Sequence, residues 1–344
     1  MKIKSNNIYQ FVKILNYQLS IANSLKRSTL MWILFAFISA TLLGLYDTSK
    51  KVSLRNNDVI PVLFLNTLFC SLIFLPLIIF SYATHLLDGS IFHVAIGGWE
   101  AHKWIMLKSV IVLLSWVFGY FAIAHLPLTL VGPINATRPI ITLVGAMLIF
   151  GERLNAWQSI GVSLSIFSLF LLARSGKKEG INFKHNRWIF FLVCAALLGT
   201  CSGLLDKYLM TAPENGGVGI DRMLAQSWYN FYQCLMMGTV LIAYLINKRK
   251  QNTSKDKPQK TFQWKWTILF ISIFLSMADF TYFYALSLPS SMISIVSMVR
   301  RGSVIVSFLC GALLFKEKNL KGKVIDLAFV LLGMIFLWIG SYSV

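Results

Sequence analysis

The feature that most constrains this 344-residue chain is a series of apolar segments that are each long enough to cross a lipid bilayer. A hydrocarbon core of about 30 Å needs about 20 helical residues. The segments lie at 30–49, 59–84, 104–126, 129–150, 157–174, 188–210, 224–247, 266–288, 291–315 and 324–343. Inside lipid every backbone polar group must be paired within the protein, and segments of this length achieve that as helices. We therefore predict an all-α integral membrane protein with ten transmembrane helices.

Charged residues support this class by their scarcity and by their positions. They make up 13% of the chain, whereas soluble domains average about 25%. The formal net charge of +19 comes from basic residues in the connections between apolar segments, which is typical of membrane-surface loops. We expect a lipid bilayer and no nucleic acid as partner, in a multi-pass protein of the plasma (inner) membrane. Basic odd-numbered connections and the basic N-terminal segment favour opposite orientations, so the orientation stays open.

No enzyme, cofactor or metal motif is present in the sequence. Residues 1–29 mix lysines with apolar residues, which is typical of an amphipathic interfacial helix or a disordered segment. The five cysteines lie inside apolar segments without a CxxC pair, so we expect neither disulfides nor a metal site. The phosphate-binding glycine loop and the hydrolase motifs HExxH and GxSxG are also missing, so we expect no enzyme activity and no cofactor.

The apolar segments repeat in two halves. One constant shift along the chain places the aromatic residues near the end of the third segment on those of the eighth, and Arg138 on Arg300. We predict a first five-helix repeat at 30–176 and a second at 177–344. Because five is odd, the second repeat enters the membrane from the opposite side, so the two repeats are inverted. Transporters built in this way bind their substrate near the membrane midplane, between the repeats.

The ninth apolar segment carries two adjacent arginines, Arg300 and Arg301, near its middle. A charged side chain at the bilayer centre costs about 2.5–3.5 kcal/mol on insertion scales, so it normally faces a bundle interior or an aqueous cavity. The planar arginine fork matches a carboxylate or a phosphate with two parallel hydrogen bonds. These residues and Arg138 therefore predict an anion-binding cavity. The alternatives are snorkelling to an interface and neutralisation by aspartates of other helices.

Further side chains are assigned to this cavity. The predicted substrate-binding residues are Arg138, Arg300, Arg301, Asn135, Tyr120, Tyr282, Tyr284, Gln226, Tyr229, Asn230 and Gln233. The last four share one helix face by their three- and four-residue spacing, and helix–helix hydrogen bonding is their alternative role. Asp279, and as a second choice Asp47, would carry a coupling proton, because a buried carboxylate near an arginine can exchange one. Lys108, near the start of its segment, is expected to snorkel.

Two sequence motifs add a resemblance to a known family. They are TRP at 137–139 with LIFGERL at 148–154 in the first half, and RRGSV at 300–304 with LFKEK at 314–318 in the second. With the ten segments in two halves, they resemble the EamA type of the drug/metabolite transporter superfamily over about 30–343. This resemblance implies a ten-helix transporter and leaves the substrate class open. The Arg138-Pro139 pair departs from the Glu-Pro pair of many members.

These observations predict a secondary active transporter that moves a small, polar, anionic metabolite by alternating access around a midplane cavity. Its partners would be the substrate, a coupling proton or a counter-substrate, and a second copy in a homodimer. One alternative is a proton-coupled exporter of cationic or amphipathic compounds or of amino acids, in which an aspartate binds the cation. The other is a membrane scaffold or sensor that transports nothing.

Overall fold

The computed structural model describes residues 31–138, 140–141, 155–177, 186–251, 261–288, 296, 299–315 and 320–342. The predicted interfacial segment 1–29 lies outside the described residues, and so do Glu152 and Glu317 of the two family motifs. The described residues form helices and connections without a β-strand. This confirms the all-α class for the described part of the chain.

The helices in chain order are α1 Met31–Leu54, α2 Val59–Ala83, α3 Trp99–His125, α4 Leu128–Ala136, α5 Ala156–Lys177, α6 Arg187–Met210, α7 Arg222–Gln251, α8 Thr267–Ser287, α9 Ser303–Leu314 and α10 Leu320–Tyr342. Seven helices of the described part are long and apolar enough to cross a membrane, namely α1, α2, α3, α6, α7, α8 and α10. This confirms a multi-pass membrane protein. Because α4 and α9 have only 9 and 12 residues, the ten crossings and the inverted repeats stay predictions.

The helices expose apolar side chains on their outer faces and bury polar side chains between them. Leu72, Phe190 and Leu313 are among the large apolar residues that face outward. Hydroxyl groups join neighbouring helices inside: Ser39 of α1 donates to a main-chain carbonyl of α8 at 2.6 Å. Ser115 of α3 donates to a main-chain carbonyl of α6 at 2.8 Å. This distribution suits lipid, where small polar residues replace the hydrophobic effect as the attraction between helices.

Regular helical hydrogen bonding is interrupted at two places, and both carry the predicted arginines. At the end of α4 the Thr137 amide donates to the Ile134 carbonyl three residues back, and the Ile140 amide repeats this with Thr137. Before α9 the Gly302 amide donates to the Val299 carbonyl, again three residues back. A proline after Arg138 and a glycine after Arg301 explain why the sequence interrupts a helix there. Because α4 packs against α9, the two interruptions belong to neighbouring elements.

Contacts between the two predicted halves lie at both ends of the helix bundle. At one end, the Asn57 side chain after α1 donates to the main-chain oxygen of Gln263 before α8, at 2.7 Å. At the other end, Arg222 of α7 donates to the main-chain oxygen of Ile91, between α2 and α3, at 3.3 Å. The stacked ring of Phe92 lies next to this contact, 5.3 Å from that of Phe280. At each end, a connection of the first half therefore contacts a residue of the second half.

Candidate functional site

A buried ion pair joins α8 to the segment that precedes α9. The guanidinium of Arg300 contacts Oδ1 of Asp279, and the Tyr229 hydroxyl of α7 donates to Oδ2 of the same carboxylate at 2.6 Å. The guanidinium also lies 4.1 Å above the ring of Tyr282. A cation over an aromatic face gains electrostatic attraction, most of all where water is excluded. The structure thus brings four of the predicted site residues into direct contact.

A second ion pair lies next to the first, between α3 and α6. Lys108 contacts the Asp206 carboxylate, and its Nζ lies 5.0 Å from the ring centre of Tyr229 and 4.9 Å from that of Phe283. Asp206 also interacts electrostatically with Asp279. Lys108 is only 2% exposed, so the expectation that it snorkels to the interface is wrong. Its stem points into the bundle because a carboxylate and two aromatic faces compensate the charge there.

A third ion pair lies within α1. Lys50 contacts the Asp47 carboxylate at 2.8 Å, one helical turn away. The Lys50 Nζ lies 4.1 Å from the ring centre of Tyr46 and 5.1 Å from that of Tyr120. Tyr120 is therefore beside the Asp47 pair, whereas its counterpart Tyr282 is beside Arg300. The predicted proton carrier Asp47 is thus held by a lysine of its own helix.

Arg138 and Arg301 lie between these pairs. Arg138 interacts electrostatically with Asp47 and Arg300, and Arg301 interacts with Arg138, Arg300 and Asp47. One Arg138 nitrogen, Nη2, donates to the main-chain oxygen of Ala195 in α6 at 3.3 Å. No carboxylate of the described residues lies within ion-pair distance of Arg301. The three predicted arginines form one cluster, which we call the arginine cluster.

Gly199 of α6 makes room for the Arg138 guanidinium. A methyl group built on Gly199 would lie 2.5 Å from Nη1 of Arg138, and no atom lies within 4 Å of the same position on Gly203. We expect Gly199→Ala to displace the guanidinium, which is the end of a flexible side chain, and to weaken anion affinity about tenfold with little loss of stability. Ligand titration of purified Gly199→Ala and of the control Gly203→Ala checks this. Equal affinity in the two variants would contradict the placement of Arg138 in the site.

The amide side chains of α7 are buried and lie on the same helix as Tyr229, which contacts Asp279. The Gln226 Nε2 donates to the main-chain oxygen of Ser276 at 3.2 Å, and the Asn230 side chain donates to the Gln226 carbonyl at 2.9 Å. The Gln226 Oε1 and both polar atoms of Gln233 have no hydrogen-bond partner among the described residues. Asn135 of α4 likewise has a buried Oδ1 without a partner there. Such groups are costly unless water or a ligand satisfies them.

Tyr284 is a predicted site residue whose ring contacts lie away from the arginine cluster. Its ring packs against Phe35 at 4.8 Å and under the Arg222 guanidinium at 4.4 Å. Arg222 contacts Ile91 at one end of the bundle and does not belong to the arginine cluster. The structure therefore associates Tyr284 with that end and Tyr282, two residues earlier, with Arg300.

The sequence analysis misplaced two cations of the membrane interior, Lys50 and Lys108, and overlooked one acid, Asp326. Lys50 lies just outside the predicted segment 30–49, yet it belongs to α1, and its spacing from Asp47 is that of an ion pair on one helix face. Lys108 was assigned to the interface, and nothing in its local sequence signals its partner Asp206. Asp326 of α10 is 2% exposed, and its main-chain oxygen accepts a hydrogen bond from Ser168 of α5 at 2.7 Å.

Comparison with known proteins agrees with this architecture. The sequence profile of the EamA-like transporter family matches residues 30–174 and 218–339. Among solved structures, one described only as "Crystal structure of protein" matches with a TM-score of 0.55 at 10% sequence identity, covering 91% of this chain and 97% of that chain. At that identity the likeness shows the fold alone. No curated protein matches the chain. Because the matched ranges span most of its helices, the chain belongs to the EamA-like transporter family, whose members are membrane transporters and not enzymes.

Proposed function

We propose that this protein is a secondary active transporter that moves a small, polar, anionic metabolite by alternating access. The observation that carries the proposal is the position of Arg301. It lies beside two further guanidinium groups and has no carboxylate of the described residues within ion-pair distance. Like charges in a water-poor interior repel one another, so the cluster gains most from a bound anion. Each guanidinium fork can hold a carboxylate or a phosphate through two hydrogen bonds.

The side chains around the cluster suit the recognition of the rest of the substrate. Tyr282, against which Arg300 stacks, fixes the direction of one fork. Asn135 precedes Arg138 by one turn and has an acceptor without a partner among the described residues. Gln226, which donates to the Ser276 carbonyl of α8, and Gln233 offer further amide atoms without a partner among the described residues. We assign these side chains to the polar wall of the site, and Tyr120 to its border at the Lys50 pair.

The contacts at the two ends of the bundle support an alternating-access mechanism. The Asn57–Gln263 contact lies at one end, and the Arg222–Ile91 contact lies at the other. Each joins the proposed first half, 30–176, to the proposed second half, 177–344. Rocking one half against the other would break one contact while the other persists, which opens the cluster to one side at a time.

The ion pairs argue against the alternative of a cation exporter. Such an exporter needs an intramembrane carboxylate that is available to a cationic substrate. Around the arginine cluster, in the part of the chain that the structure describes, Asp47, Asp206 and Asp279 each already hold a lysine or an arginine. A cation would have to displace Arg300 from Asp279, whereas an anion meets Arg301 directly.

A coupling proton remains a proposal for Asp279 and Asp47. An anion that takes the place of Asp279 on Arg300 would release the carboxylate, which could then accept a proton. Asp47 is held by Lys50 and lies farther from Arg300, so Asp279 is the better candidate. Exchange of one anion for another would require neither residue to change its protonation.

A thermal-shift screen of purified protein against metabolites sorted by charge tests the proposal. A ligand at about 100 times its Kd stabilises the folded state by about 2.7 kcal/mol, so we expect anions to raise the melting temperature and cations to have no effect. Neutral analogues that lack only the anionic group are the matched controls. A shift with cations alone would support the exporter, and no shift with any metabolite would support the scaffold or sensor.

A further inference from the structure

Three buried amide side chains line the contact of α2 with α7 and α8. They are Asn66 of α2 and Gln226 and Gln233 of α7, and we call them the polar seam. Each has a relative exposure of 0%, and α2 packs against both of the other helices. Hydrogen bonds to α8 hold two of them, since Gln226 Nε2 donates to the Ser276 carbonyl at 3.2 Å and the Ser272 hydroxyl donates to Asn66 Oδ1 at 3.2 Å.

Gln233 lies at nearly the same height in the bundle as Asn66. The order of the contacts between α2 and α7 shows that these helices run antiparallel, and the Ser71 hydroxyl donates to the Asn230 carbonyl at 2.9 Å. Gln233 follows Asn230 by three residues, and Asn66 precedes Ser71 by five. The two amides are therefore only about 3 Å apart along the helix axis.

The polar seam continues from the arginine cluster. Tyr229 lies between Gln226 and Gln233 on one face of α7, and its hydroxyl donates to the Asp279 carboxylate that Arg300 contacts. Gln226 and Tyr229 both donate to groups of α8, so Gln233 faces the same helix. Because Gln233 lies about 6 Å beyond Tyr229 along the axis, a small anion held by the arginines can reach the seam with its uncharged end.

The polar seam offers hydrogen bonds that no described residue takes up. The unpaired atoms are Asn66 Nδ2, Gln226 Oε1 and both polar atoms of Gln233. Since neither atom of the Gln233 amide is paired, this side chain offers one donor and one acceptor in either orientation. Buried groups of this kind destabilise a protein unless a partner satisfies them. That partner has to be able to donate and to accept.

We infer that the polar seam binds hydroxyl groups of the substrate, which is therefore a hydroxylated organic anion. This inference rests on the proposed anion transport and narrows its substrate class. One hydroxyl group both donates and accepts, so it can join an amide N–H to a neighbouring amide oxygen. A metal cation is a poor fit, because Asn66 and Gln233 present N–H groups. An apolar chain would leave all four atoms unpaired.

Matched pairs of anions with and without hydroxyl groups test the inference. The probes are gluconate against hexanoate, and glycerol phosphate against propyl phosphate, at constant ionic strength, with sorbitol as the uncharged control. Thermal stabilisation of the wild-type protein is measured against ligand concentration. We expect each hydroxylated anion to act at a concentration at least about tenfold lower than its partner, because a site built for a hydroxyl rejects the analogue that lacks it.

Gln233→Met removes both polar atoms of the side chain and keeps its length. In this variant the preference for hydroxylated anions should fall below about threefold. Its melting temperature without ligand should equal or exceed that of the wild type, because two unpaired buried atoms are gone. Thr239→Val is the matched control, since Thr239 is an exposed residue of the same helix. It should keep the wild-type preference.

The outcomes separate this inference from the proposed function. No stabilisation by any anion would overturn both, and so would equal action of sorbitol and gluconate. Equal action of the two members of each pair would overturn the hydroxyl site alone and leave an anion transporter whose seam holds water. A lower melting temperature of Gln233→Met with an undiminished preference would show that Gln233 serves only the structure, which also overturns the hydroxyl site. If Gln233→Met does not fold, the wild-type pairs still decide.

Discussion

Replacing Asp206 with asparagine is expected to lower the free energy of unfolding by about 3–5 kcal/mol, because the change leaves a buried ammonium group without its carboxylate. Lys108 is 2% exposed and Asp206 is 7% exposed, so water cannot take the place of the lost partner. The rings of Tyr229 and Phe283 remain above the ammonium. A cation–π contact contributes about 2 kcal/mol at most in such a site, which is less than the loss. Equilibrium unfolding in lipid–detergent micelles measures the difference.

Two variants serve as controls for this result. Lys108→Met combined with Asp206→Leu removes both charges, and we expect it to recover most of the stability, since an apolar pair of similar volume often matches a buried ion pair. Glu100→Gln removes an exposed pair with Lys103 and should cost less than about 1 kcal/mol. If Asp206→Asn is no more destabilising than Glu100→Gln, Lys108 and Asp206 do not form a buried pair.

Replacing Arg301 with glutamine is expected to change stability and affinity in opposite directions. Without ligand, the free energy of unfolding of the variant should be roughly 1–2 kcal/mol higher than that of the wild type, because one of three mutually repelling guanidinium groups is gone. The variant is therefore expected to be more stable. Its affinity for a stabilising anion should fall about 100-fold, because a buried charge-assisted contact is lost. A residue that serves only the structure would lower stability on removal, so the combination identifies Arg301 as a ligand-binding residue.

Arg301→Lys separates charge from geometry. The lysine keeps the positive charge but lacks the planar fork, so we expect about a tenfold loss of affinity and little change in stability. Unfolding curves with and without the anion give both quantities for each variant. Arg301→Gln that is less stable than the wild type and binds the anion equally well would remove this residue from the site.

For clear physical reasons, the sequence could predict the class of protein and the position of the arginines in the interior of the bundle. Length and hydropathy decide whether a helix can cross a bilayer, and an arginine in the middle of such a helix needs compensation wherever it lies. The interruptions next to Arg138 and Arg301 were also readable from the following proline and glycine. The predicted spans 129–150 and 291–315 are continuous and therefore miss these two interruptions.

The partners of the charged residues could not be predicted from the sequence. Lys108 meets Asp206 across two helices that are far apart in the chain, and only the packing of α3 against α6 brings them together. Tyr282 and Tyr284 are both tyrosines and are only two residues apart. On a helix, side chains two residues apart point to nearly opposite faces. One therefore meets Arg300 and the other meets Arg222. A single sequence carries no information on the rotation of a helix that is apolar all round.

The most direct test of the anion site is uptake of a radiolabelled anion into proteoliposomes. The anion is the one that best stabilises the wild-type protein, and vesicles are prepared with wild type, Arg301→Gln and the exposed-site control Glu100→Gln. We expect saturable uptake with the wild type and with Glu100→Gln, and uptake at the level of empty vesicles with Arg301→Gln. Undiminished uptake by Arg301→Gln, at equal amounts of folded protein, would contradict anion transport through the arginine cluster.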